Sequence, residues 1–376
     1  MKRVFFYVQH LLGIGHLVRT NRIAAALVEA GFDVTLVMGG IPVEGLAQPG
    51  CRRLQLPAVK AGAAGFSALE DEEGRPVDAA FKTRRAAVLL DAFRSSQADV
   101  LLIEAFPFGR RAMRFELLPL LELAHALPRR PLIATSVRDI LQETAKPGRA
   151  EETVETIERY FDLVLVHGDP GFARLDETFP LAADTTKEIL YTGLVAGPPP
   201  GPAVSKFDIL ISAGGGAAGL PLIRAATEMM TRPGIAYRCG MITGPNLSRA
   251  EIDTLLARRA SGLEVFAFRP DLPDLLGGCS LSISQAGYNT VCDVLRAGCR
   301  SLLVPFAAGG ETEQSVRAQR LAAMGLAAVL PEAAVSSDQL QSRVQALLAQ
   351  PAPQTHRLDL NGARRTAELL LARLGA

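Results

Sequence analysis

The chain has 376 residues, with 40 basic and 39 acidic side chains and a formal charge of +1. That length suits two domains of about 100–200 residues each, and the balanced charge excludes a general nucleic-acid binder, whose footprint is strongly basic. Five cysteines without a C-x-x-C pair, and five histidines that do not cluster with them, read as reduced residues of a cytosolic protein with no zinc site.

The opening MKRVFFYVQHLLGIGH has a basic pair and a short apolar run broken by Gln9-His10, with no small-residue cleavage site. It reads as a first strand, Arg3 to Val8, and not as a signal peptide. A Gly-rich turn, Leu11 to His16, leads into a helix from Arg19 to Ala30. The G-x-G-x-x-G spacing fails at Val18, so no dinucleotide site is read from it. His16 is either a helix cap or a general base, since an imidazole titrating near neutrality can take a proton from an attacking hydroxyl. Asp33 to Met38 is a strand. Pro42 to Pro76 lacks periodicity and reads as loops. A helix follows, Ala79 to Ser95, and then an apolar strand, Asp99 to Glu104. Glu104 should emerge at the same sheet edge as His16, to orient the imidazole, to act as the base itself, or to be satisfied by backbone N–H groups. Arg110 and Arg111 open a helix to Ala126 and either hold an anionic acceptor or are solvated. The apolar residues from Phe115 to Leu127 suit a lipid-linked acceptor or the core. Strands Pro131 to Thr135 and Asp162 to His167, with a helix Glu151 to Tyr160 between them, bring Arg138 and His167 to the same edge.

Gly193 to Pro202 contains three consecutive prolines between glycines and reads as an extended linker. The alternation then restarts with strands Phe207 to Ser212, Ile235 to Ile242, Leu263 to Phe268, Cys279 to Ser284, Ser301 to Pro305 and Ala327 to Leu330. A helix from Leu360 to Leu374 ends the chain. No run approaches the ~20 apolar residues of a spanning helix. The pattern is α/β: two doubly wound, Rossmann-like domains, 1–196 and 203–357, facing a cleft across a Pro-rich hinge. Ligands of such sheets bind beyond the carboxyl ends of the strands. There the second half places Gly214-Gly215-Gly216, whose bare backbone lets a phosphate approach several N–H groups. Thr243-Gly244-Pro245 reads as a simple turn. Gly287 sits in a tight turn before a helix, Thr290 to Ala297, that carries Asp293 early. Glu311, Glu313 and Gln314 fall in the exit loop of the next strand. A helix start for phosphate and a carboxylate for sugar hydroxyls make half of a nucleotide-sugar site. The alternative is an ordinary βαβ unit whose polar residues cap helices.

Ser282 to Leu321 also resembles the donor-binding segment of GT-B glycosyltransferases, family 28 above all. The matching residues are Gly287, Thr290, Asp293, Val304-Pro305-Phe306 and Glu313-Gln314. That family more often has Glu at the place of Asp293 and Gln-Gln at that of Glu313-Gln314, which leaves the donor sugar open. The resemblance implies that Gly214, Gly215 and Gly216 face the donor diphosphate, with Gly216-Ala217 where a hydroxyl residue often sits. It implies that the backbone at Arg269 reads a uracil edge, and that Gly15-His16 ends a loop whose histidine, in several related families, serves as base or binds the reacting groups. It also implies that residues 358–376 cross back onto the first domain. The expected reaction is inverting sugar transfer from a UDP-sugar to a hydroxyl on a glycan, lipid or small molecule, activated by His16 or Glu104. Neither a metal nor another cofactor is expected, and no D-x-D cluster appears. Arg110 and Arg138 are the candidate acceptor contacts. The expected setting is cytoplasmic, with peripheral contact at the inner face of a membrane as an option. Two other classes stay open: a UDP-N-acetylglucosamine 2-epimerase on the same scaffold, and a non-catalytic sugar-nucleotide-binding protein. An epimerase converts free donor, a transferase needs an acceptor, and a binding module only binds.

Overall fold

The computed structural model describes residues 1–11, 13–43, 50–62, 65–142, 146–202, 206–214, 219–244, 247, 250–251, 254, 262–351 and 353–375. They divide into two compact units, Met1–Val195 with Leu358–Ala376, and Ala196–Arg357.

The first unit is built on a sheet of seven described strands: β1 (Arg3–Val8), β2 (Asp33–Met38), β3 (Arg52–Gln55), β6 (Val100–Glu104), β7 (Leu132–Arg138), β8 (Leu163–His167) and β9 (Glu188–Tyr191). Their spatial order is β3-β2-β1-β6-β7-β8-β9, and every pairing is parallel. The central strands are mostly apolar because helices cover both faces. Those helices are α1 (Gly15–Glu29), α2 (Ala79–Ser96), α3 (Arg114–Ala126) and α4 (Arg149–Tyr160). On α3, Leu117, Leu120, Leu121 and Ala124 are buried in the core beside Phe5, Leu101 and Ile103. Phe115, Leu118, Leu123 and Leu127 pack against that same core, so the apolar residues of this helix are spent inside the unit.

The stretch from Pro42 to Pro76 is not only loops. It holds β3 and an antiparallel pair, β4 (Lys60–Gly62) and β5 (Gly65–Glu70). β3 pairs on one side only and leaves Arg52, Arg53 and Gln55 exposed, so the apolar period that marks a buried strand is missing.

The second unit is a parallel sheet of six described strands: β10 (Ile209–Ser212), β11 (Cys239–Ile242), β12 (Leu263–Phe266), β13 (Leu281–Ser284), β14 (Ser301–Leu303) and β15 (Ala328–Val329). Their order is β12-β11-β10-β13-β14-β15. Helices α5 (Leu220–Met230), α6 (Leu272–Gly278), α7 (Tyr288–Ala297) and α8 (Glu313–Ala323) lie between successive strands, and α9 (Ser337–Leu348) follows β15. Ile209, Ile211, Ile283, Leu302 and Val344 lie in its core. The proline-rich stretch is fastened to this unit. Gly197 N–H donates to Asp293 Oδ1 at 3.3 Å, and Gly201 N–H to Asp274 Oδ1 at 2.8 Å.

The last helix, α10 (Gly362–Gly375), belongs to the first unit and packs along α1. Leu194 N–H donates to Asp359 O at 2.8 Å, and Gly362 N–H returns a bond to Leu194 O at 3.0 Å. A Cβ at Gly362 would lie 2.2 Å from Gly193 O, so only glycine permits this approach. No described helix is long and apolar enough to cross a membrane.

Candidate active site

In the first unit, β1 and β6 are neighbours, so the start of α1 and the end of β6 meet at the carboxyl edge of the sheet. His16, the second residue of α1, puts Nδ1 2.8 Å from Glu104 Oε2 and 3.0 Å from Oε1. Glu104 is the last residue of β6 and fully buried, while about a fifth of the His16 side chain is exposed (21%). Arg19, one turn along α1, donates to Glu104 Oε1. Burial opposes ionisation of Glu104, but the charges of His16 and Arg19 outweigh it and hold the carboxyl at about 2. Burial, followed by the repulsion of Arg110, lowers His16 to about 4 against the pull of Glu104. At neutral pH the pair is therefore a carboxylate and a neutral imidazole. An ionised carboxylate can only accept, so Nδ1 carries the proton and Nε2 keeps its lone pair. That is the tautomer a general base needs.

The turn after β6 holds two non-glycine residues in the left-handed region, Ala105 at φ 64° and Arg110 at φ 61°. Each such conformer costs of order 1–3 kcal/mol and persists where the surroundings impose it. Arg110 Nε donates to Gln9 O at 2.6 Å, and its guanidinium feels Glu104, Arg138 and Arg19. Arg19 and Arg110 thus both act on the one carboxylate, and Arg138 acts in turn on Arg110. Arg111 is directed elsewhere, into an ion pair with Glu152 and a bond to Arg149 O. His167 is fully buried, with Ser136 Oγ 2.6 Å from Nε2 and Thr192 Oγ1 2.9 Å from Nδ1. Burial lowers it to about 3. With both ring nitrogens bonded to buried hydroxyls, it is a core residue and not a lining one.

A second network beneath this edge is absent from the sequence reading. Arg85 of α2 is fully buried. Its Nε donates to Glu116 Oε2 at 2.6 Å and its Nη2 to Glu116 Oε1 at 2.9 Å. It also donates to Gln9 Oε1 at 2.7 Å and to Gly39 O at 2.9 Å, and Tyr7 Oη donates to Glu116 Oε1 at 2.5 Å. These bonds fix Gln9, whose carbonyl holds Arg110. A buried cation needs such complete pairing. The one sequence signal was polar Gln9 directly after five buried strand residues.

In the second unit, Gly215 and Gly216 lie outside the described residues. Gly214 has φ +73°, and a Cβ there would meet Gln285 Oε1 at 2.6 Å. Gly287 caps α7 with φ −64°, ordinary for any residue, and nothing lies within 4 Å of an added Cβ. The fold itself therefore does not demand glycine there. Thr290 is half-buried in the first turn of α7. Asp293 stands in the middle of that helix, not early, because α7 begins at Tyr288. It is buried, and one carboxylate oxygen takes the Gly197 N–H.

Glu313 and Gln314 also differ from expectation. They open α8 and do not lie in the loop. Glu313 is buried in an ion pair with Arg317 at 2.7 Å, and Arg317 also donates to Ala286 O at 3.3 Å. Gln314 Oε1 accepts from Phe306 N–H at 3.1 Å, and Glu311 Oε1 accepts from Glu313 N–H at 2.9 Å. The Arg269 side chain pairs with Asp271 and lies over the Phe266 ring, 4.7 Å from its centroid. Among the described residues no group of three or more His, Cys, Asp or Glu is placed to hold a metal.

Residues 210–370 match the glycosyltransferase family 28 C-terminal domain. This part of the chain is similar to family 28. Among its relatives is the UDP-N-acetylglucosamine–N-acetylmuramyl-(pentapeptide) pyrophosphoryl-undecaprenol N-acetylglucosamine transferase of Alkaliphilus oremlandii (strain OhILAs). It is 29% identical over 147 residues, which cover 38% of this chain and 40% of that protein. The enzyme of the same name from Gloeobacter violaceus (strain ATCC 29082 / PCC 7421) is 38% identical over 113 residues, covering 28% and 32%. The chain thus spans less than half the length of these curated relatives. The crystal structure of Acinetobacter baumannii MurG superposes with a TM-score of 0.61 at 17% identity, covering 99% of this chain and 100% of that one. That of CalG4, the calicheamicin glycosyltransferase, gives 0.60 at 16%, covering 100% and 95%. The fold is GT-B, with two Rossmann-like domains.

Proposed function

We propose that the chain is a glycosyltransferase that moves a sugar from a nucleotide-sugar, a UDP-sugar by analogy with its named relatives, to a hydroxyl acceptor. The observation that carries this reading is the His16–Glu104 pair: a neutral imidazole, oriented by a buried carboxylate, in a chain whose residues 210–370 match the family 28 C-terminal domain. His16 Nε2 takes the acceptor proton as its oxygen bonds to the anomeric carbon, and the nucleoside diphosphate leaves from the opposite face, which inverts that centre. The N–H groups that open α7, and the backbone around Gly214, receive the charge that develops on the diphosphate. The open space at Gly287 favours close approach of a ligand to that backbone. Chemistry of this kind needs no metal. Arg110 places positive charge beside the base, with Arg138 acting on Arg110, and the two favour an acidic acceptor, in keeping with the pyrophosphoryl acceptor in the relatives' names. A peripheral site at the cytoplasmic face of a membrane follows from the same analogy.

The test is incubation with UDP-sugars, with and without candidate pyrophosphoryl-lipid and small hydroxyl acceptors, in buffer with and without EDTA. Product should appear only with both substrates, with inverted anomeric configuration by NMR and without loss in EDTA. Conversion of free donor alone would falsify the transferase reading in favour of epimerisation, and nucleotide binding without turnover on any acceptor would reduce the chain to a binding protein.

A further inference from the structure

We propose that the first unit carries, beside His16, a subsite for an apolar alkyl or aryl group whose acidic end reaches Arg53. The proposal rests on the transferase reading only in assigning that group to the acceptor. A hollow of about 310 Å³ lies at the carboxyl ends of β1, β2 and β3. Leu17, Met38, Ile41 and Val43 supply its apolar wall, with the His10 ring and the Arg53 guanidinium as its polar members. Its size is at the low end of ligand pockets, about 300–1,000 Å³.

The polar groups decide what fits. His10 Nε2 lies 2.9 Å from Ile41 O. A carbonyl can only accept, so Nε2 carries the proton of a neutral ring, and burial favours that uncharged form. The amide nitrogen of Gln55, also on the lining, is already spent on the carbonyls of Met38, Gly40 and Leu56. Arg53 donates to the Met38 thioether at 3.3 Å, a weak acceptor, and none of the described ion pairs includes it. No carboxylate is among the described residues that line the hollow. An occupant therefore meets hydrocarbon, an uncharged ring and one cation. A sugar would bury hydroxyls with few partners there, at a desolvation cost, whereas an apolar group loses nothing. The hollow is tied to the proposed base through the chain: Leu17 of its lining follows His16 on α1, and Arg110 acts on both His10 and His16.

The probes are octyl phosphate below its micelle concentration, phenyl phosphate and inorganic phosphate, titrated by calorimetry into the full chain. The first two distinguish a lipid-like group from an aryl one. At least one of them should bind ten or more times tighter than inorganic phosphate. Ile41→Trp, which fills the hollow, should erase that advantage, and Arg53→Gln should weaken both organic phosphates several-fold. Val43→Trp repeats the filling test should Ile41→Trp fail to fold, judged by its melting curve. Equal affinity for organic and inorganic phosphate, or an advantage that survives in the folded filling variant, overturns the proposal. Organic phosphates that bind as expected, in a chain that transfers no sugar, would leave the subsite standing and remove the transferase reading.

Discussion

His16 and Glu104 are separable by experiment because their environments push them to different protonation states. His16→Ala should cut turnover by about 10²–10⁴ while UDP affinity stays near that of the parent chain. With His16 lowered to about 4, the rate should stay level from neutrality down to about pH 5 and fall as pH drops through 4. Glu104→Gln removes the carboxylate that pulls the His16 value upward, so the falling limb should move to lower pH as the plateau rate drops. A limb that stays in place assigns the base elsewhere. His167 gives a different prediction, of stability. It remains neutral in the fold down to about 3, whereas an unfolded histidine takes a proton near 6.5. Between those values the unfolded chain binds more protons, so this contribution is whole above about pH 6.5 and is lost as pH falls through the window. His167→Gln can keep bonds to Ser136 and Thr192, and should melt closer to the parent at pH 5 than at pH 7. Parallel curves of Tm against pH would contradict this.

At the scale of elements, α8 tests what a buried acidic residue is for. Glu313 and Arg317 are almost wholly buried against each other. Glu313→Ala should destabilise the second unit by about 3–5 kcal/mol, since removing one partner strands the other charge. Glu313→Leu with Arg317→Met should recover most of that loss. Urea melts read both, and an unchanged midpoint in Glu313→Ala would return the residue to a purely ligand-contacting role. The same elements show what sequence could reveal. Arg3–Val8 and Asp33–Met38 were legible to the residue, because strands covered on both faces are mostly apolar. The meeting of His16 and Glu104 was legible because both leave neighbouring strands at the carboxyl edge. β3 was not, because an edge strand that exposes its arginines looks like a loop. Nor was the Arg85–Glu116–Tyr7 cluster, whose members come from α2, α3 and β1. A single charge within a helix pattern reads as solvated until its partner across the fold is seen. Glu313 was misplaced for a related reason: the i,i+4 pair with Arg317 becomes visible only once α8 is known to begin at Glu313.

On the scale of the whole molecule, the chain enters the second unit after Val195 and leaves it at Arg357, so the first unit is made of two separate pieces. Ending the chain at Arg357 should therefore damage the first unit and spare the second. Scanning calorimetry should show one transition lowered or lost, while UDP affinity, which the proposed function places in the second unit, persists. Loss of both together would mean that the units do not fold independently. This discontinuity also orders biosynthesis. Domains generally fold as units while the chain is being made, the amino-terminal one first. Here the second unit can close while the ribosome is still adding residues. The first unit, begun earlier, must wait with the face of α1 uncovered until the 14 residues of α10 emerge. A ribosome that stalls or terminates before α10 is made would thus release a protein whose later-begun unit is finished and whose earlier-begun unit is not.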